Sequence, residues 1–164
     1  RDAQESRGLG DVYKRQNYGY TDLAYTLLCR KEYPSWLYAV GKGATTIWEH
    51  WDGIMENGEF WSTDMNSFNH YVYGSVADWI YEQAAGIRVV EEYPGFEKAR
   101  IHPKPGTQLE WLGASIKTRH GKISSQWTHT DGVIRYEIVT PVPAQIVIGK
   151  KEIKVEPGTY VFWE

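Results

Sequence analysis

The chain has 164 residues, enough to bury a core in one ordinary domain or in two small pieces. Its formal net charge of -3 and pI near 6.0 give no electrostatic reason to bind nucleic acid or an anionic membrane, and no stretch approaches the roughly 20 apolar residues of a membrane span. Eight Trp and twelve Tyr are the unusual counts, while the single Cys29 excludes an internal disulfide, so nothing ties the fold to an oxidising compartment and a cytoplasmic location is favoured.

In chain order, residues 1 to 16 are polar, show neither helical nor strand period and hold no apolar signal segment. With no initiator Met, they read as a non-native or disordered leader on a fragment and are left out of the expected fold. Thr21 or Asp22 is then expected to cap a helix in which Leu23, Leu27 and Leu28 follow the helical spacing, ending before Tyr33-Pro34. Cys29 lies in this apolar run and reads as a buried, inert thiol. Ser35 caps a second helix carrying Trp36, Leu37, Ala39 and Val40, which Gly41 or Gly43 ends.

Residues 44 to 65 show no sustained period and contain Gly53, Asn57 and Gly58, so they predict a long structured loop touching down as short strands. Long loops inside compact domains are commonly functional. Asn66 or Ser67 is expected to open a third helix, with Phe68, Tyr71, Val72, Ser75, Val76, Trp79, Ile80 and Gln83 on one face, ending at Gly86.

Beyond Gly86 the period becomes alternating. Strands are predicted at 88–90, 99–101, 114–118, 122–127, 133–140, 145–148, 152–155 and 159–163, separated by turn-formers such as Pro94-Gly95, Asp131-Gly132 and Pro157-Gly158. Regularly spaced short strands imply an antiparallel β-sandwich over 87–164. Three helices do not close an all-α domain that also supports a 22-residue loop, so residues 17–86 are expected to be the last part of a larger helical domain.

The chemistry concentrates in Trp48-Glu49-His50-Trp51-Asp52, a carboxylate bracketed by indoles. Indole faces suit the C–H surfaces of a sugar ring, and a carboxylate beside them can accept hydroxyl protons or activate a water, so the pentapeptide points to a saccharide. The competing reading of Glu49 is a solvated loop carboxylate, and that of Trp48 and Trp51 is core packing. One indole is expected to line a sugar site and the other to pack beneath it, with Trp61 as an alternative wall. Asp52 and Asp64 either hydrogen-bond sugar hydroxyls or cap the loop, and Asn66 reads mainly as a helix cap. His50 and His70 with Glu49 or Asp52 lack the paired spacing of a metal site, and no phosphate-cradling glycine motif is present. His102, His120 and His129 lie near predicted turns, as ordinary surface histidines do.

An ordered series of motifs carries a resemblance. Gly19-Tyr20-Thr21-Asp22-Leu23-Ala24-Tyr25, Tyr33-Pro34-Ser35-Trp36, Gly43-Ala44-Thr45-Thr46-Ile47-Trp48-Glu49, Trp51-Asp52-Gly53 and Met65-Asn66-Ser67-Phe68-Asn69-His70-Tyr71 together resemble the C-terminal part of bacterial α-L-rhamnosidases, glycoside hydrolase family 78, over about residues 17 to 164. The resemblance implies the terminal helices of an (α/α)6 barrel followed by an antiparallel β-sandwich, and hydrolysis of terminal linkages in rhamnose-containing glycosides with inversion. It puts Glu49 at the general base and His70 in contact with the sugar; Trp48 and Trp51 are expected as substrate-binding residues from their indole chemistry alone. The family takes its general acid from an earlier part of the barrel, so this chain is expected to carry half of the catalytic pair and to be inactive alone. Family members often have Arg where His50 stands, which leaves His50 as a solvated loop residue. No cofactor and no metal are implied. Helices of an unfinished barrel are expected to expose apolar faces, giving aggregation or a homodimer. The alternative functional class is a non-catalytic carbohydrate-binding or scaffolding domain.

Overall fold

A computed structural model describes residues 21–164, so the expected leader and the first two residues of the Gly19-Tyr20 motif lie outside the described residues. The chain forms two compact units that divide between Ala77 and Asp78.

The first unit opens with helix α1, Thr21–Cys29. Both expected caps lie inside it, and Asp22 sits in the first turn, where the helix dipole favours a carboxylate. Its buried residues are Ala24 and Tyr25, whereas Leu23 is exposed, so the inward face is rotated by one residue from the expected stripe. Burial raises the pKa of both the Tyr25 phenol and the Cys29 thiol. Helix α2, Trp36–Gly41, starts as expected: Ser35 Oγ accepts the Tyr38 amide at 3.0 Å. It ends in a Schellman motif, with the Ala44 amide on the Ala39 carbonyl at 3.0 Å and the Gly43 amide on that of Val40 at 2.9 Å, Gly43 taking φ +89°.

The long loop carries a small hairpin. Ile54 bridges Phe60, and the Met55 and Gly58 amides close the turn on Glu59 and Met55. The third helix departs from expectation. Residues 66–70 are not helical, and helical backbone begins at Tyr71 as a 3₁₀ turn, Tyr71–Ser75, continues as α3, Val76–Trp79, and closes as a π turn, Ile80–Ala84. The reason is competition for backbone groups: the Ser67 and Phe68 carbonyls and the His70 amide bond to the 46–49 segment, so they are unavailable for a helical ladder. Asn66 is not a cap, because its Nδ2 donates to the Gly53 carbonyl at 2.7 Å.

The second unit is the β-sandwich. Strands β1 Ile87–Val89, β2 Ala99–Ile101, β6 Ala144–Ile148 and β7 Lys151–Val155 form one sheet in the order β1-β2-β6-β7. The other holds β3 Trp111–Thr118, β4 Gly121–Thr130, β5 Val133–Thr140 and β8 Gly158–Trp163 in the order β3-β4-β5-β8. All eight predicted strands are present, β1 one residue earlier than expected and several others longer by one to four residues. The pairing is antiparallel except between β2 and β6, which run parallel. That pair is joined through three strands of the opposite sheet, a crossover long enough to bring the chain back in the same direction.

Alternation settles which side chains form the core. Cross-strand rows Leu112-Trp127-Tyr136-Phe162 and Ala114-Ser125-Ile138-Tyr160 share the inner face of the second sheet. Trp127 and Ile138 are fully buried there, as are Ile87, Ile101 and Ile146 of the first sheet. The Trp127 indole N–H finds its partner in the Ala84 carbonyl at 2.9 Å, which ties the π turn to the sandwich. The β4–β5 connection is the two-residue Asp131-Gly132, at φ +49° and +82°, the type I′ geometry that matches strand twist.

Candidate active site

The site is built on two irregular segments laid side by side in the first unit. The Ile47 carbonyl accepts the His70 amide at 2.7 Å, the Glu49 amide donates to the Ser67 carbonyl at 2.9 Å, and Thr46 Oγ1 donates to the Phe68 carbonyl. This three-rung ladder fixes the backbone of Glu49 beside the segment that ends at His70, although 21 positions separate them in sequence. Asn66 and Gly53 brace it from the side: the Asn66–Gly53 hydrogen bond crosses the loop, and a side chain at Gly53 would press on Phe68 and Trp48 at 3.1 and 3.2 Å. Close packing here leaves the loop one way to fold.

Trp48 is 6% exposed and meets Phe68 edge-on at 5.0 Å, so it sits in the interior of the loop. Trp51 is half-buried, stacked on Tyr73 at 4.2 Å and edge-on to Trp36 at 5.1 Å. The Trp36 indole N–H in turn donates to the Tyr73 carbonyl at 3.0 Å, locking α2 to the 3₁₀ turn. His50 lies flat on Trp61 at 3.8 Å between centroids, and Trp61 is 46% exposed. The indole face nearest solvent in this loop is therefore that of Trp61.

Glu49 is half-buried, and among the described residues no hydrogen bond or ion pair holds its carboxylate. His70 is also half-buried; it precedes the 3₁₀ turn without capping it, and its ring lies nearly parallel to that of Tyr71, 6.3 Å away. Asp64 is exposed, and Ser62 Oγ accepts the Asp64 amide, so Ser62 supplies the turn bond expected of the aspartate. Among the described residues no group of three or more His, Cys, Asp or Glu side chains gathers as a metal site would require. The residues that sequence reasoning missed are Thr46, Ser67 and Phe68. Their contribution runs largely through backbone carbonyls, which leave no signature in side-chain type.

Helical segments carrying an irregular, aromatic-rich loop, followed in the chain by a β-sandwich, are the architecture of a helical-barrel glycoside hydrolase with its C-terminal domain. The model of the bacterial α-L-rhamnosidase six-hairpin glycosidase domain matches residues 13–84, and that of the bacterial α-L-rhamnosidase C-terminal domain matches residues 86–157. The chain belongs to the bacterial α-L-rhamnosidase family. It is 43% identical over 114 residues to the α-L-rhamnosidase of Streptomyces avermitilis, covering 70% of this chain and 11% of that protein. With the α-L-rhamnosidase of Alteromonas sp. (strain LOR) it shares 41% identity over 139 residues, 84% of this chain and 14% of the relative. The crystal structure of the Streptomyces avermitilis enzyme complexed with L-rhamnose superposes with a TM-score of 0.81 at 32% identity, over 91% of this chain and 16% of that one. That of the native Aspergillus terreus enzyme gives 0.83, also at 32% identity, over 90% and 18%. The chain thus spans about a seventh or less of the length of these two curated relatives. Terminal helices of a helical barrel followed by a β-sandwich, as expected from the motif series, are the architecture of the match.

Proposed function

We propose that this chain is the C-terminal part of an inverting α-L-rhamnosidase in which Glu49 is the general base. The observation that supports the reading is the Glu49 carboxylate: half-buried, without a partner among the described residues, and on a backbone that the ladder joins to the segment ending at His70. A carboxylate in that state has its lone pairs free to take a proton from water. Inversion needs such a water between the base and the anomeric carbon, with a carboxylic acid about 6.5–9.5 Å away protonating the leaving oxygen. In the whole protein that acid comes from an earlier part of the barrel. His70 donates to or accepts from a sugar hydroxyl, while Trp48 supports the loop from within and Trp51 and Trp61 offer ring surface to the sugar.

The test is made in the whole parent protein. Glu49→Gln keeps the size of the side chain and removes its basicity, so hydrolysis of an aryl α-L-rhamnoside should fall by about 10²–10⁴-fold. Near-parental turnover would remove Glu49 from the base role. Inversion predicts that the first sugar released is the β anomer, which proton NMR of the early reaction reads directly.

A further inference from the structure

The outer face of the β3-β4-β5-β8 sheet carries a feature that catalysis at Glu49 does not use. Trp111 and Trp163 stand at opposite edges of this sheet, yet register puts them in one cross-strand row, Trp111-Thr128-Arg135-Trp163. Both are exposed, by 60% and 58%, while Trp127 of the same sheet is fully buried on the inner face. Two large indoles left in water on one sheet face cost solvation free energy that a purely structural face would avoid. Three strand spacings, roughly 14 Å, separate them.

Beside Trp111, along the rows next to the one it shares with Trp163, the sheet face is hollow and largely polar. A depression of about 270 Å³ is lined by Trp111, Gly113, Ser115, Lys122, Gln126 and Glu137. Gly113 faces Gln126 across the strands, and a Cβ at Gly113 would come within 3.4 Å of the Gln126 side chain, so the absence of a side chain there keeps the floor open. The charges nearest the row compensate each other: Arg135 Nη1 bonds Glu137 Oε2 at 2.8 Å, and the same guanidinium lies 5.9 Å from the Trp163 ring. What remains is a floor of amide and hydroxyl groups with the Lys122 ammonium as a further donor, bordered by the Trp111 indole.

We infer that this face is a second saccharide-binding surface, taking a neutral, extended oligosaccharide whose rings stack on Trp111 and Trp163 while its hydroxyls bond Gln126 and Glu137 in the adjacent row. Alternating C–H faces and hydroxyl edges are what two indoles in one row, with Thr128 and Arg135 between them and Gln126 and Glu137 in the next row, complement, and the span between the indoles calls for several sugar units rather than one. The surface is independent of Glu49 and lies wholly within the second unit.

The test uses the 164-residue chain with two neutral probes, an α-L-rhamnose hexasaccharide and cellohexaose, followed by calorimetry and by tryptophan fluorescence. At least one hexasaccharide should bind and shift the emission, monomeric rhamnose should bind at least tenfold more weakly, and Trp111→Ala and Trp163→Ala should each weaken hexasaccharide binding at least fivefold. Both substitutions fall on exposed side chains, and circular dichroism verifies the fold. Absence of binding by both probes at millimolar concentration, or binding that neither substitution weakens, overturns the inference. So does a chain that dimerises through this face, which sedimentation would reveal as a dimer made monomeric by Trp111→Ala and unaffected by sugar.

Discussion

Gly86 stands where no side chain fits. It takes φ +76°, and a Cβ there would fall 2.0 Å from the His102 carbonyl carbon and 2.2 Å from the Pro103 nitrogen, both backbone atoms that cannot swing away. Its own carbonyl accepts the His102 amide at 2.9 Å. Gly86→Ala should therefore destabilise the chain by more than about 3 kcal/mol, seen as a fall in the denaturation midpoint; a shift under a quarter of that size would show that the close approach relaxes freely. His102 itself gives a pH signature. Burial first, then the Lys104, Arg100 and Arg88 cations, holds its imidazole below the usual histidine range. As pH falls, the unfolded chain takes up this proton before the folded one, so the contribution is complete above the unfolded pKa of about 6.5 and is lost below it. Denaturation should show lower stability at pH 5 than at pH 8, and His102→Gln should shrink that difference; an unchanged difference would assign the pH dependence to other groups. Ser125 Oγ is buried with no partner among the described residues, facing the sandwich interior. Ser125→Ala removes the orphaned hydroxyl and should leave stability unchanged or raise it by about 1 kcal/mol, as a thermal melt would report.

At the scale of elements, local chemistry and tertiary pairing divide the chain. Helix α2 follows from its ends: the Ser35 cap and the Gly43 exit are both present as read from residue type. Ser35→Ala should cost about 1 kcal/mol, measurable as lowered protection of the Tyr38 amide in hydrogen exchange, and unchanged protection would mean that the Trp36 anchors hold the helix without its cap. The strands were legible for a related reason, since turn residues such as Asp131-Gly132 mark their ends and alternation marks their faces. The third helix was not legible over 66–70. Its sequence has helical spacing, but the carbonyls of Ser67 and Phe68 serve the ladder to residues 46–49, and no local signal announces a partner some 20 residues away. The same ladder hid the framework of the candidate site. Glu49 and His70 stand out by residue type and motif, while the rungs that join their two segments are mostly carbonyl and amide groups common to every residue.

For the molecule as a whole, surface composition carries the next expectation. In the first unit Val40, Phe60, Met65 and Tyr71 are exposed, Tyr71 by 87%. Apolar side chains left in water drive association, so light scattering on the isolated chain should show a dimer or larger species, and a clean monomer would count against this surface being an unmet packing face. No helix among the described residues is long and apolar enough to cross a membrane, in line with the absence of an apolar run of that length in the sequence. By itself the sequence determined the order of elements, the change from helical to alternating period at Gly86, the Ser35 cap, the Gly43 exit and the strand-ending turns, because each depends on neighbours within a few positions. Only the tertiary structure decided that β2 and β6 run parallel, that Trp48 packs inward while Trp61 faces water, that Trp111 and Trp163 share one face, and that 66–70 is not helical. Those outcomes depend on long-range hydrogen bonds and on burial, where one backbone carbonyl competes for partners far along the chain and the best-packed arrangement prevails.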